Sequence, residues 1–223
     1  MDDEMSEREV TQAGDPSRPT GTCGSRMLRR MNRSHAAVTN WALDLLPWRP
    51  GLRALDVGCG GGATMRRILD RIARAGAGAG EGQGHVSGVD YSSVSCAESR
   101  AFNEAALRAG LMDVTEASVD RLPFPDASFD VVTTVESFYF WPDPARGLRE
   151  VRRVLRPRGR FLLVCDVYRR DDLPDETLAN IREHDLTVLE PWEYRDLLLA
   201  AGFSSAVAHL KEETSWIAVE GVC

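Results

Sequence analysis

The stretch "ALDVGCGGGATMRRIL", Ala54–Leu69, contains residue types and spacing suited to gripping a small charged group. An apolar run breaks into Gly58, Gly60, Gly61 and Gly62, and helical spacing then resumes. Glycine reaches positive φ and lets the backbone approach a ligand with no Cβ in the way. The helix that follows aims free N–H groups and a partial positive charge at whatever lies in the loop. A pyrophosphate would be held there, and so would a single carboxylate. Two patterns fit. Gly58, Gly60 and Ala63 satisfy the G-x-G-x-x-[G/A] of dinucleotide-binding folds. Asp56 with Gly58, Gly60 and Gly62 satisfies D-x-G-x-G-x-G.

The neighbours weigh the two. Asp56 lies inside a strand, and a buried carboxylate is costly unless something pairs with it. A dinucleotide phosphate would repel it, whereas an amino-acid moiety brings an ammonium. Asp90, in "GVDYSS", ends the next strand and would accept hydrogen bonds from two ribose hydroxyls with either cofactor. Its other role would be helix capping, which Ser92 or Ser93 can fill instead. The loop "ASVDRLPFPDASFDVV", following a third strand, is placed to receive an adenine ring.

A second constellation is "VESFYFWPDP". Strands of such sheets open towards ligand at their C-terminal ends, which puts Glu136, Ser137, Tyr139 and Trp141 at a pocket floor. Glu136 reads equally as a cofactor contact, a general base or a solvated loop carboxylate. Tyr139, Phe140 and Trp141 suit an aromatic wall with cation–π attraction for a cationic centre, while Phe138 and Phe140 read as core. Asp166, beyond the fifth strand, is a weaker candidate of the same kind. Arg26, Arg29, Arg30, Arg33 and His35 make the leader basic, as a lid over an acidic substrate or as a solvated helix face. His35 reads as a surface or cap residue rather than a base.

These residues need a frame. Apolar runs at Ala54–Val57, His85–Val89, Asp113–Ala117, Phe129–Val135 and Arg160–Cys165 are short and rich in Val and Leu, as strands of a parallel sheet buried on both faces must be. Between them Met65, Ile68, Leu69 and Ile72 share a helical face, as do Ala145, Leu148, Val151 and Leu155. Alternating βαβ units predict a doubly wound α/β domain. Residues 1–18 read as a disordered polar tail, 19–50 as a helical leader or lid, and 51–223 as the cofactor-binding domain. "AGAGAGEGQG" reads as a surface insertion. "PWEYRDLLLAAGF" reads as a helix closed by Gly202. Phe203–Leu210 and Ser215–Val222 then form a hairpin that makes the sheet mixed.

Bulk properties exclude other classes. Hydrophobic content of 43% and charged content of 27% are ordinary for a globular domain. No run approaches the roughly 18 apolar residues of a membrane span, and the acidic start "MDDEMSERE" is no signal peptide, so a cytoplasmic protein is expected. Five scattered cysteines without CxxC, and four scattered histidines, predict neither a disulfide framework nor a metal site. A net charge of −7 argues against a nucleic-acid partner.

In order and spacing, "LDVGCGGG", "GVDYS", "LPFPDASFDVV", "ESFYFWPDPARGLREVRRVLRPRGRFLLV" and "LLAAGF" together resemble a class I S-adenosylmethionine-dependent methyltransferase of the small bacterial single-domain type. "RPTGTCGSRMLRRMN" resembles that group's leader, so the resemblance runs from about Arg18 to the end. It implies a Rossmann-like, mixed seven-stranded sheet in the order 3-2-1-4-5-7-6 with the last strand antiparallel. It also implies S-adenosylmethionine as cofactor, S-adenosylhomocysteine as product, a small-molecule acceptor, and a monomer or homodimer without membrane or nucleic-acid partners. By position, Asp56, Gly58, Cys59, Gly60 and Gly62 would hold the methionyl part, Cys59 without chemistry of its own, and Asp90 the ribose. Tyr91 would pack on the adenine, and Ser118, Val119 and Asp120 would read its edge. Glu136 would reach the cofactor, and Glu136 and Tyr139 are the catalytic candidates. Two positions depart from the family: Ser118 stands where relatives usually carry an acid, and "LRPRG" puts Arg158 where they carry glycine. A nicotinamide-dependent oxidoreductase shares the glycine loop but leaves Asp56 and "LPFPDASFD" unexplained. A non-catalytic cofactor-binding module is the other alternative, given room by Ser118.

Overall fold

A computed structural model describes residues 5–76 and 82–223. Its strands are β1 (Arg53–Val57), β2 (His85–Asp90), β3 (Met112–Glu116), β4 (Phe129–Val135), β5 (Leu155–Cys165), β6 (Ser205–Leu210) and β7 (Ile217–Val222). They form one sheet in the order β3-β2-β1-β4-β5-β7-β6, as expected. β1 to β5 pair in parallel, and β7 runs antiparallel to both β5 and β6. β1 has β2 on one side and β4 on the other, so the strand order reverses there and a crevice opens at the carboxyl ends of the strands.

Helices cover both faces, which is why β1 and β2 carry no polar-facing alternation: all of β1 after Arg53 and all of β2 after His85 are buried. On one face α3 (Ala36–Leu43) and α4 (Ala63–Ala75) lay Val38, Leu43, Met65, Ile68 and Ile72 into the core. On the other, α7 (Pro144–Val154) and α9 (Pro191–Ala200) contribute Leu148, Val151, Tyr194 and Leu198. Burying each such aliphatic side chain is worth about 1.5–3 kcal/mol. Asp143 caps α7 by accepting from the Arg146 N–H at 2.9 Å, with Pro144 at the first helical position. The apolar set assigned to that helix is split: Leu155 opens β5 instead, five residues before the predicted strand start, and "RPRG" bulges out of register with β4 between Phe129 and Val131.

Three differences concern the rest of the chain. The tail expected to be disordered contains α1 (Glu7–Gly14). Ser6 and Glu9 form a capping box, with Glu9 Oε2 accepting from Ser6 N at 2.8 Å. Val10 is the buried apolar residue of this helix, and buried Gly14 lies close enough to the Cys23 carbonyl that an added Cβ would sit 3.0 Å away. A polar composition conceals such a helix, because one valine, one glycine and a cap hold it. The leader forms two helices, α2 (Gly21–Ser34) and α3, that meet at His35. Finally, part of "AGAGAGEGQG", residues 77–81, lies outside the described residues. The remaining helices are α5 (Ser93–Phe102), α6 (Glu104–Arg108) and α8 (Asp175–Glu183). Among the described residues no helix is long and apolar enough to cross a membrane.

Candidate active site

The glycine loop is shaped by backbone hydrogen bonds to the neighbouring strand. Gly58 N and Cys59 N both donate to the Val89 carbonyl, at 2.8 and 3.0 Å, and Gly60 N donates to Asp90 Oδ2 at 3.0 Å. Gly58 has φ +73°, and a Cβ there would fall 1.9 Å from Ser137 Oγ. Gly62, at φ +80°, ends the loop; its carbonyl accepts from Asn103 Nδ2 at 3.0 Å, and a Cβ would collide with that amide. Glycine is therefore demanded at both ends of the loop by conformation and by space.

Beside the loop, at the carboxyl ends of β1, β2 and β4, lies a cavity of about 420 Å³. Gly58, Cys59, Gly60, Asp90 and Tyr91 line one side, and Ser118 and Val119 the next. Glu136, Tyr139, Phe140 and Trp141 line a third. Phe138 is fully buried against Trp141 and Tyr194, as read from sequence; Phe140, also read as core, packs against that core and lines the cavity as well.

Three residues assigned to the site are not on its wall: Asp56, Gly62 and Asp120. Asp56 is buried within the sheet, where Thr133 Oγ1 donates to its Oδ1 at 2.7 Å and its Oδ2 has no partner. Burial pushes its carboxyl up to about 7, with the Thr133 bond opposing and the Asp90 charge adding. A residue in mid-strand is one pleat behind the loop it precedes, which explains the miss. Ser118 Oγ caps a 3-10 turn by accepting from Asp120 N at 3.3 Å, so its hydroxyl is already engaged locally.

Asp90 is buried and accepts from Ser92 N at 2.9 Å through Oδ1 as well as from Gly60 N through Oδ2. Burial raises its pKa, and these two backbone donors oppose the rise. The capping role that competed for Asp90 belongs to Ser92, whose Oγ accepts from Ser95 N at 3.2 Å. Tyr91, 41% exposed, donates to the Ser17 carbonyl, and Ser92 Oγ donates to the Pro19 carbonyl at 2.6 Å. The leader is thereby tied down over the end of β2.

The leader arginines do other work than expected of a lid over an acidic substrate. Arg29 makes a two-pronged contact with Glu98 of α5, at 2.8 and 2.9 Å, and Arg30 reaches Thr11 Oγ1 at 2.6 Å and the Glu7 carbonyl at 3.2 Å. They fasten α2 to its neighbours.

On the same cavity wall four side chains from three distant parts of the chain converge. Glu136 holds φ +53°, a region unusual for a residue with a Cβ. Tyr139 Oη lies 2.5 Å from Glu136 Oε2 and 3.1 Å from Asp166 Oδ1, and accepts from Asp166 N at 3.3 Å. Glu136 Oε1 is buried without a partner. Ligand-capable atoms of His35, Glu136 and Asp166 lie within 4.8 Å of one another. Burial first, then the Asp166 charge, lifts the Glu136 carboxyl well above its usual range; burial and the Glu136 charge do the same to Tyr139. Burial lowers His35 against the opposing pull of Asp166, keeping its ring neutral. His35 is the residue that sequence reasoning misplaced. It does sit at the junction of α2 and α3, as a cap residue would, but its ring looks into the cavity. The break between two apolar helical sets marked the junction; nothing in the sequence marked which way the ring turns.

A family model described as a methyltransferase domain matches residues 55–163. The chain is 38% identical over 129 residues to a 27-O-demethylrifamycin SV methyltransferase of Amycolatopsis mediterranei, covering 56% of this chain and 43% of that one. It is 34% identical over 142 residues to a ubiquinone/menaquinone biosynthesis C-methyltransferase of Brucella anthropi, covering 60% and 49%. The matched part spans less than half the length of either relative. In fold it resembles the methyltransferase solved with the Haloferax volcanii Trm112 methyltransferase activator, with a TM-score of 0.72 and 23% identity over 87% of this chain and 92% of that one. Motif order, sheet topology and these matches agree in likening the chain to the class I S-adenosylmethionine-dependent methyltransferases.

Proposed function

We propose that this chain transfers the methyl group of S-adenosylmethionine to a small-molecule acceptor bound in the same cavity. The observation that carries the reading is the Asp90–Gly60 bond, which sets an acid and the glycine loop side by side on the wall of one crevice. The residues fit the cofactor. Asp90 uses two of about four lone-pair directions on backbone donors and keeps the others for ribose hydroxyls. The glycine backbone offers close approach for the amino-acid end, and Ala117 and Val119 offer an apolar surface for the base. Bound there, the cofactor supplies an electrophilic methyl on a cationic sulfur.

The protein's own contribution is alignment and exclusion of water, and orientation alone is worth roughly 7–11 kcal/mol in favourable cases. A base adds about 10²–10⁴-fold where the acceptor carries a proton. Glu136 and Tyr139 border the acceptor in this reading, and their shared hydrogen bond fits them to orient it. A cytoplasmic protein, monomeric or homodimeric, is part of the same proposal, supported by five free cysteines and a net charge of −7.

Thermal shift with S-adenosylmethionine, S-adenosylhomocysteine and NADH tests the cofactor. Stabilisation by the first two is expected; stabilisation by NADH alone overturns the reading. Labelled cofactor offered with pooled small molecules then tests turnover, and label that never leaves the cofactor points to the non-catalytic module.

A further inference from the structure

The cavity wall is poor in positive charge. Among the described residues Arg67 is the one arginine or lysine on its wall, and its guanidinium is held by the Asn32 carbonyl at 3.1 Å, while Asn32 Nδ2 donates to the Gly61 carbonyl at 2.9 Å. That cation therefore stands beside the glycine loop. Elsewhere on the wall stand Glu136 and Asp166, with Tyr139 between them and His35 facing. No arginine or lysine among the described residues forms an ion pair with either acid. Glu136 Oε1 is buried and accepts nothing.

From this placement we infer that the methyl acceptor is a protonatable amine, its nitrogen seated among His35, Glu136, Tyr139 and Asp166. The inference rests on the methyl-transfer reading and names its substrate class. An ammonium brings three donors, which suit the Asp166 carboxylate, the vacant Glu136 Oε1 and a neutral imidazole nitrogen. The charge that develops during reaction decides against a hydroxyl acceptor. A phenol or acid must become anionic before attack, beside two carboxyl groups, whereas an amine gains positive charge as it attacks. Groups aimed at charge that grows in the transition state accelerate the step; groups that oppose it do not.

The step balances as follows. The ammonium passes one proton to the His35 ring, which becomes imidazolium. The freed nitrogen lone pair forms the new C–N bond as the S–C bond breaks, and that bond's electron pair stays on sulfur, leaving a neutral thioether. The product is an N-methylated ammonium, and His35 returns its proton to water. The Asp166 charge, which opposes the effect of burial on His35, favours the imidazolium that forms.

The test uses the full chain loaded with S-adenosylhomocysteine and titrated calorimetrically with benzylamine and phenethylamine against benzyl alcohol and phenethyl alcohol. Each amine is expected to bind at least tenfold more tightly than its alcohol. Asp166→Asn should remove that margin while the S-adenosylhomocysteine affinity stays within twofold. His35→Gln, which keeps a polar group of similar reach, should retain amine binding and lose label transfer to the amine at least tenfold. A missing margin in the wild-type chain overturns the inference and leaves the cofactor reading intact. Amine binding that disappears with EDTA also overturns it, because the cluster would then be holding a metal ion. If S-adenosylhomocysteine itself does not bind, both readings fall together, and the first titration shows it.

Discussion

Asp90 Oδ2 accepts the Gly60 N–H at 3.0 Å across the carboxyl ends of β1 and β2, so one carboxylate both shapes the glycine loop and borders the cavity. The bond joins two motifs 30 residues apart that each looked like an independent binding element. It gives the loop its curvature from outside, because Gly60 at φ +49° has its N–H turned towards the acid rather than into a helix. A change at either residue is therefore felt at both.

Asp90→Ala is expected to weaken S-adenosylhomocysteine binding at least tenfold, since it removes the ribose acceptor and leaves the Gly60 N–H unpaired. Asp90→Asn separates the two contributions. Its amide oxygen can still serve one of the two backbone donors, but its NH₂ cannot accept from the other. Calorimetry should rank wild type above Asn above Ala, and an Asn variant with wild-type affinity would remove the second oxygen from the account.

Gly58→Ala meets two penalties. A Cβ at φ +73° costs about 1–2 kcal/mol in backbone conformation, and its approach to Ser137 Oγ adds about 1–3 kcal/mol of overpacking. Only the second depends on Ser137. In a double-mutant cycle Ser137→Gly should recover the overpacking share and no more. Full recovery of the unfolding free energy would show that the left-handed conformation at Gly58 costs nothing; no recovery would show that the two residues do not touch.

What the sequence made legible follows from which interactions are local. The buried strands, the α4 face of Met65, Ile68 and Ile72, and the glycine loop are written in periodicity and spacing, and all recur in the structure. The His35–Glu136–Asp166 convergence is not, because positions so far apart in sequence are brought together only by the sheet's crossovers and the leader's docking. Asp56 errs in the other direction. Its place in the D-x-G-x-G-x-G pattern suggested a ligand contact, whereas the pleat turns it into the sheet against Thr133. Motifs report residue type and order; the side of a strand on which a side chain emerges is decided by registry with its neighbours.

Arg158, at φ +65° and exposed in the bulge that opens β5, pays the left-handed penalty without compensating contacts on its side chain among the described residues. Its backbone N–H donates to the Cys223 carbonyl at 3.1 Å, a bond that glycine keeps. Arg158→Gly should stabilise the fold by about 0.5–1 kcal/mol, the conformational gain of about 1–2 less the entropy glycine loses on folding. Urea denaturation would show a higher midpoint at unchanged slope. A lower midpoint would mean that the arginine side chain contributes more than its backbone costs.

Asp56 makes stability depend on pH in a direction opposite to that of an ion-paired carboxylate. Its folded pKa of about 7 lies above the usual value of 3.8, so between these limits the folded state holds a proton that the unfolded state has released. Stability then falls as pH rises through that window, by about 1.4 kcal/mol per unit. Above pH 7 both states are ionised and this contribution is flat, with the cost of a buried charge fully present. Asp56→Asn keeps an acceptor for the Thr133 hydroxyl and cannot ionise. The difference in unfolding free energy, wild type minus Asn, should therefore decline from pH 5 to pH 7 and then level off. Denaturant melts of the two proteins at pH 5, 6, 7 and 8 measure it directly. A difference already flat from pH 5 to pH 8 would mean that Asp56 is ionised throughout and stabilised by a partner, and the carboxyl would have to be facing the glycine loop after all.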